Sequence, residues 1–290
     1  MGTASTRAPT TRWDLDSGRA VRRPDALAVE EPFEIRVDGA PVVVTMRTPG
    51  DDLDLAMGFL LTEGLLPGSD AIGTAVHCTD VGQDGRPTFN VMEIGLAPGT
   101  PPLDLAGRRT FGMTSACGVC GSASIDAVRA RGGADLTADP VRVDADLLAS
   151  LPERLRAAQR VFARTGGLHA AGLFAIRDGG HEAELLVARE DVGRHNAVDK
   201  VLGWAARERG WPLTGTVLVV SGRASFELAQ KAWTAGIPVL AAVSAPSSLA
   251  VQLAVDAGMT LVAFVRGRTM NGYAHPERVA LSTRATTSSG

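Results

Sequence analysis

The residues in this sequence that most plainly suggest chemistry are two cysteines, Cys117 and Cys120. With two residues between them the sulfurs can reach each other, so either thiolate can attack a mixed disulfide or persulfide formed on the other. Gly112, Gly118 and Gly121 surround the pair and let the backbone bend and approach a partner closely. The segment is typical of a mobile arm that carries a reactive thiol between two sites.

Other functions of this thiol pair stay open at this point. Zinc needs two further ligands; His77 and Cys78 are candidates, although adjacent residues suit a tetrahedral site poorly. A thioredoxin-type redox pair belongs at a strand–helix junction, and buried structural thiols have the same spacing. Deaminase chemistry is disfavoured, because it needs a His-x-Glu or Cys-x-Glu upstream and a proline before the first cysteine, where this chain has Ala116.

A second group of candidate residues follows the predicted strands of an open sheet. Apolar runs at 216–221, 238–244 and 259–266 alternate with helical segments, which predicts parallel strands covered on both faces. Ligands bind beyond the carboxyl ends of such strands, where helix N-termini also point. The residues at the predicted strand ends are mostly small or arginine: Arg189–Asn196, Ser221–Arg223, Ser244–Pro246 and Arg266–Arg268.

These strand ends predict a site for an anionic ligand with phosphate groups, held by guanidinium groups and backbone N–H groups. The alternative is that the small residues are helix caps and turns, with the arginines solvated. His195 lies among the ligand-type residues and is a candidate for the site, whereas His169 is interpreted as structural. Glu190 and Asp191 are expected to pair with Arg194.

The elements that must position these residues differ between the two halves of the chain. Apolar residues alternate at 33–37 and 42–46 around the turn Asp38-Gly39, which predicts a hairpin. A helix capped by Asp51 or Asp52 follows. Further on, Ser150 and Glu153 form a capping box, which predicts a helix that ends at Gly166-Gly167.

The fold class expected from this pattern is α/β, or α+β overall. A smaller β-rich N-terminal domain over 29–138 carries the thiol segment, and an α/β domain with a largely parallel sheet covers 139–280. Residues 1–28 and 281–290 are rich in small and polar residues and are expected to be disordered.

Composition excludes several classes of protein. The 290 residues are 45% hydrophobic and 21% charged with a net charge of −3, which excludes wholesale disorder and argues against a dedicated nucleic-acid binder. Three cysteines are too few for a disulfide framework. No apolar stretch is long enough to span a bilayer, and Arg22-Arg23 is followed by Pro24-Asp25 rather than an apolar export segment. A cytoplasmic location is therefore expected.

Four longer motifs together resemble one known family. Thr114–Gly121, Glu190–Lys200, Ser221–Arg223 and Gly272–Pro276 are similar to the FdhD/NarQ family of formate dehydrogenase accessory sulfurtransferases. The similarity runs from about Glu31 to Val279, and several motifs in register are far more specific than the cysteine spacing alone.

The resemblance implies a sulfur carrier with a cytidine-deaminase-like α/β domain, in a family whose members are typically dimers. A cysteine desulfurase would pass sulfur to Cys117 as a persulfide, with Cys120 as its partner. The carrier would hand that sulfur to the molybdenum (or tungsten) bis(molybdopterin guanine dinucleotide) cofactor of formate dehydrogenase. A non-catalytic cofactor-binding chaperone is the alternative.

The same resemblance implies where the cofactor binds. The segment that falls where the family binds the guanine dinucleotide consists of Phe264, Val265, Arg266, Gly267, Arg268 and Thr269. Arg223 and His195, from the other predicted strand ends, complete the expected site. The paired arginines in this family often have different spacing, so the phosphate that each would contact stays open.

Overall fold

The computed structural model describes residues 3–79, 88–103 and 133–281. Its strands β1 to β14 span Ser5–Asp14, Arg19–Ala28, Glu31–Val37, Ala40–Arg47, Ile72–His77, Val91–Leu96, Val143–Asp144, His169–Arg177, Glu182–Asp191, Thr216–Val220, Val239–Ala242, Thr260–Arg266, Thr269–Ala274 and Val279–Ala280. Its helices α1 to α6 span Asp52–Thr62, Ala145–Ala158, Phe162–Thr165, Arg194–Glu208, Phe226–Thr234 and Ser248–Ala257. The expected mixed α and β fold class is confirmed.

The chain divides into two compact units that are not continuous in sequence. Unit 1 contains the described residues up to 103 together with 159–170 and 189–208, and unit 2 contains the remainder. The expected domains, by contrast, were two consecutive segments that met at residue 138. The difference arises because residues 159–170 and 189–208, which contain α3 and α4 and were expected in the C-terminal domain, are part of unit 1.

The packing of α1 against α4 explains that assignment. A Cβ atom on Gly58 of α1 would lie 1.9 Å from the backbone oxygen of Asp199, and one on Gly203 of α4 would lie 1.9 Å from the backbone oxygen of Asp54. Any side chain at either glycine would force the helices apart. The two backbones therefore approach more closely than other residues permit.

Unit 1 also contains a four-stranded sheet and a separate hairpin. The sheet has the order β4-β3-β6-β5, and the predicted hairpin at 33–46 is present as β3 and β4. The expectation of disorder over residues 1–28 differs from the structure, which pairs β1 with β2 from Ser5↔Ala28 to Asp14↔Arg19. Composition did not reveal this ribbon because both strands are largely exposed and so lack the alternation of a core-facing strand.

Unit 2 contains a six-stranded sheet with the order β13-β12-β11-β10-β8-β9, apart from the first residues of β8 and the last residues of β9. The strands β10, β11 and β12 are parallel, as expected, and are almost wholly buried. Antiparallel neighbours flank them, β8 beside β10 and β13 beside β12. The sheet is therefore mixed rather than largely parallel. The strand β13 follows β12 through a short turn and so runs antiparallel to it, and β8 runs antiparallel to β10, with β9 and α4 between them in the chain.

The helix predicted from the capping box at Ser150 begins earlier in the chain, at Ala145. The Asp144 carboxylate accepts the N–H groups of Asp146 and Leu147 and so caps α2, while the Ser150 hydroxyl donates to the Leu147 carbonyl inside the helix. An earlier cap in the chain, Asp144, is therefore used in place of Ser150. The prediction that this helix continues to Gly166-Gly167 is wrong, since α2 ends at Ala158 and a separate four-residue helix, α3, follows. Gly166 ends α3 with a φ of +66°.

Among the residues that the structure describes, no helix is both long and apolar enough to cross a membrane.

Candidate functional site

The two cysteines that suggest sulfur chemistry, Cys117 and Cys120, lie outside the described residues. The third cysteine, Cys78, is a free, partly exposed thiol whose backbone N–H donates to the Val91 carbonyl. Over the described ranges, no group of three or more His, Cys, Asp or Glu side chains is placed to hold a metal ion. The roles expected of Cys117 and Cys120 therefore stay predictions.

The loops that follow the three parallel strands of unit 2 are tied together by backbone hydrogen bonds. The N–H of Ser244 donates to the Gly222 carbonyl at 3.2 Å, and that of Phe264 donates to the Ser244 carbonyl at 3.3 Å. Beyond these bonds, Ala224 forms a parallel bridge with Pro246. The sequence expectation that these strand ends share one edge therefore holds for β10, β11 and β12, and the exposed Arg223 lies in the first of these loops.

The end of β12 has an unusual backbone that the apolar pattern of the strand does not reveal. Phe264 has a φ of +53°, and the register with β13 shifts between Ala263 and Arg266. A left-handed conformation at an aromatic residue is costly and marks an irregular strand. Val265 remains buried at this bulge, whereas the residues from Arg266 to Thr269 are exposed.

Arg266 is held by groups that carry no charge. Its Nε donates to the Val243 carbonyl at 2.9 Å, and its guanidinium carbon lies 5.8 Å from the centroid of the Phe264 ring. Within the described part of the chain no carboxylate forms an ion pair with it. The exposed guanidinium is thus oriented while its positive charge is left uncompensated, which suits a bound anion.

The turn after Arg266 completes the segment that is expected to bind the cofactor. Gly267 has a φ of +56°, and the Thr269 hydroxyl donates to the Arg266 carbonyl at 3.2 Å. Arg268 pairs with Asp146 at the start of α2, with 2.5 Å between Nη2 and Oδ1. Sequence reasoning missed Asp146, because it lies more than a hundred residues away and belongs to no motif.

His195 belongs to unit 1 and is partly exposed, and the two acidic residues that precede it in the motif, Glu190 and Asp191, form bonds within that unit. The Glu190 carboxylate accepts the N–H groups of Val161 and Phe162 at 2.9 and 2.7 Å, at the start of α3. Its pairing with Arg194 was therefore wrongly expected. The free N–H groups at that helix end supply a stronger partner for a carboxylate.

Asp191 is likewise not paired with Arg194. Its fully buried carboxylate lies 2.7 Å from the Nζ of Lys200, also buried. It further accepts the N–H groups of Thr48 and Gly193 and the side-chain amide of Asn196. The segment after β9 thus forms an internal network rather than the open set of ligand groups that the sequence suggested.

The histidine interpreted as structural has an altered proton affinity. Partial burial, followed by the charges of Arg194 and His195, lowers the pKa of His169. The unfolded chain therefore takes up a proton at a higher pH than the folded protein does. The contribution of His169 to the free energy of unfolding is complete above the pKa of the unfolded chain. It is lost as the pH falls from that value through the lower pKa of the folded protein.

Comparisons with known proteins agree on one family. The model of the FdhD/NarQ family matches residues 28–280. A Streptomyces avermitilis protein named sulfur carrier protein FdhD is 55% identical, covering 98% of this chain and 99% of its own. A Mycobacterium tuberculosis protein of the same name is 54% identical, covering 91% of this chain and 95% of its own.

A crystal structure from Desulfotalea psychrophila, described as a formate dehydrogenase accessory protein, has the same fold. It aligns with a TM-score of 0.72 at 24% identity, covering 96% of this chain and all of its own. At that identity the likeness shows the fold alone. The family match and the two relatives carry the assignment, and the chain belongs to the FdhD/NarQ family.

Proposed function

We propose that this protein is a sulfur carrier in formate dehydrogenase maturation that transfers sulfur through a persulfide on Cys117. The observation that carries the proposal is the name sulfur carrier protein on relatives that are about 55% identical over nearly the whole chain. A pair of thiols two residues apart in a glycine-rich segment supplies the chemistry that such a role needs. The proposed sulfur donor is a cysteine desulfurase, and the proposed client is formate dehydrogenase.

The proposed loading step conserves electrons. The Cys117 thiolate attacks the terminal sulfur of the donor's persulfide, a new S–S bond forms on Cys117, and the donor cysteine leaves as a thiolate. Cys120 can then attack the inner sulfur of the Cys117 persulfide. That attack forms a Cys117–Cys120 disulfide and releases hydrosulfide, so that two thiols lose the two electrons that the transferred sulfur gains. A dithiol reductant is needed to restore the pair.

We further propose that the recipient of the sulfur, a molybdenum or tungsten bis(molybdopterin guanine dinucleotide), binds at the Phe264–Thr269 segment. The residues present fit a nucleotide diphosphate. Arg266 offers an oriented guanidinium with uncompensated charge, and Phe264 offers an aromatic ring beside it. Arg223 adds exposed positive charge in unit 2, and Arg268, although paired with Asp146, supplies a second exposed guanidinium in the segment.

The sulfur-carrier proposal is tested by mass spectrometry of the intact chain. We expect the purified protein to gain one sulfur atom after incubation with a cysteine desulfurase and cysteine, and to lose it on treatment with dithiothreitol. Omission of cysteine is the control. A chain whose mass stays unchanged, while the desulfurase releases sulfide normally, would show a cofactor-binding chaperone rather than a carrier.

The cofactor-site proposal is tested with GDP as a probe of the guanine dinucleotide. Arg266→Ala should weaken GDP binding about tenfold, because a charged hydrogen bond to phosphate contributes about 1.5 kcal/mol or more. Isothermal titration calorimetry measures the affinity. Arg177→Ala is the matched control, since that arginine is also exposed in unit 2 but already pairs with Glu184. Equal affinities for wild type and Arg266→Ala would rule out this site.

A further inference from the structure

The two arginines on either side of Gly267 are held in opposite ways. Arg266 donates to an uncharged backbone carbonyl, that of Val243, at 2.9 Å. Arg268 instead forms an ion pair with Asp146 at 2.5 Å. The two guanidinium groups therefore differ in whether their charge is compensated before any ligand arrives, although the sequence presents them as a matching pair.

The position of Asp146 suits a group that holds a partner in place. Its backbone N–H donates to the Asp144 carboxylate at 2.8 Å, within the cap of α2. A negative side chain in the first turn of a helix is stabilised by the helix dipole. The Asp146 carboxylate is thus carried on a rigid helix end, whereas Arg268 lies in the turn between β12 and β13.

The strength of the ion pair between Arg268 and Asp146 depends on the exposure of the two side chains to solvent. The side chains of Arg268 and Asp146 are 68% and 44% exposed, so water competes for both groups. Exposed ion pairs are weak, and a phosphate can displace the carboxylate from the arginine. A guanidinium can also bind a phosphate through two parallel hydrogen bonds, but Arg268 must first release the carboxylate.

We propose that Asp146 is a competitive gate for the anionic ligand: it occupies the Arg268 guanidinium until a phosphate group displaces it. The inference rests on the proposed binding of a guanine dinucleotide at this segment. Arg266 then supplies the permanent anion contact, while Arg268 contributes only the difference between its affinity for the phosphate and its affinity for Asp146. The gate lowers retention of incomplete or weakly charged ligands and eases release of the product to its client.

The gate is tested by the affinity for GDP at low ionic strength, where exposed charges are least screened. We expect Asp146→Asn to bind GDP about two- to fivefold more tightly than wild type, because Arg268 no longer has to exchange a carboxylate for phosphate. Glu153→Gln removes the same charge from an exposed position on the same helix and should leave the affinity within the error of the measurement.

A double-mutant cycle distinguishes the gate from a general effect of charge. In the Arg268→Ala background, Asp146→Asn should no longer tighten GDP binding, and Arg268→Ala should cost more affinity in Asp146→Asn than in wild type. A gain that persists without Arg268, or an affinity of Asp146→Asn equal to that of wild type, would overturn the gate while leaving the cofactor site intact. A wild-type chain that binds no GDP would instead remove the proposed site itself.

Discussion

Cys117→Ala should abolish formate dehydrogenase maturation, because the sulfur loses its only proposed covalent attachment point. The largest loss of activity that we expect from a single substitution therefore comes from removal of the Cys117 thiol. Complementation of a strain that lacks the native carrier measures it, with formate dehydrogenase activity as the readout. Mass spectrometry of the same variant after incubation with a desulfurase should show no added sulfur.

Cys78→Ala is the matched control for this experiment. Cys78 is a free thiol, and its hydrogen bond to Val91 uses the backbone N–H, which alanine retains. We expect the control to mature formate dehydrogenase at the wild-type level and to acquire sulfur normally. Activity of Cys117→Ala close to that of the control would refute the persulfide mechanism, whatever the outcome for GDP binding.

Lys200→Met should lower the free energy of unfolding by about 3–5 kcal/mol, because it leaves the Asp191 carboxylate buried without its counter-charge. The exposed fractions of the two side chains are 1% for Lys200 and 0% for Asp191, so water cannot replace the lost partner. Lys200 also donates to the Thr48 carbonyl at 2.8 Å, which would lose that bond as well. Urea denaturation followed by circular dichroism measures the change.

An exposed ion pair provides the comparison. Arg177→Met removes one partner of the pair with Glu184, whose side chains are 52% and 59% exposed, and should cost less than about 1 kcal/mol. Comparable losses for Lys200→Met and Arg177→Met would show that the buried pair is not what stabilises unit 1. A large loss for Lys200→Met alone would assign the Glu190–Lys200 motif a structural role.

Much of the architecture is encoded in short stretches of sequence. The alternation over residues 33–46 predicts the β3–β4 hairpin, and apolar runs separated by helical segments predict β10, β11 and β12. Such patterns predict structure because the spacing of apolar residues over a few positions shows which face of a strand or helix is buried. The thiol pair at Cys117 and Cys120 is recognisable for the same reason, since its two members lie only three positions apart in the chain.

Two predictions from local patterns fail because the chain forms other hydrogen bonds than those the patterns indicate. The capping box at Ser150 is correct in composition, yet Asp144 caps the helix and leaves Ser150 inside it. Residues 1–28 lack a core-facing pattern, yet β1 and β2 pair through their backbones over ten residues each. The deciding bonds join Asp144 to residues two and three positions on in the first case, and two consecutive strands in the second. Neither the capping box nor an alternation of apolar residues specifies them.

What the sequence by itself determined is the set of groups available for chemistry: two cysteines separated by two residues, and arginines at the ends of parallel strands. Only the tertiary structure decided which charged side chains pair with each other. It pairs Asp191 with Lys200 inside unit 1, and Asp146 with Arg268 at the surface of unit 2. The physical reason is that the strength of an ion pair depends on the distance between its charges and on their exposure to solvent. Arg268 and Asp146 are 122 residues apart in the chain, and only the fold brings them together.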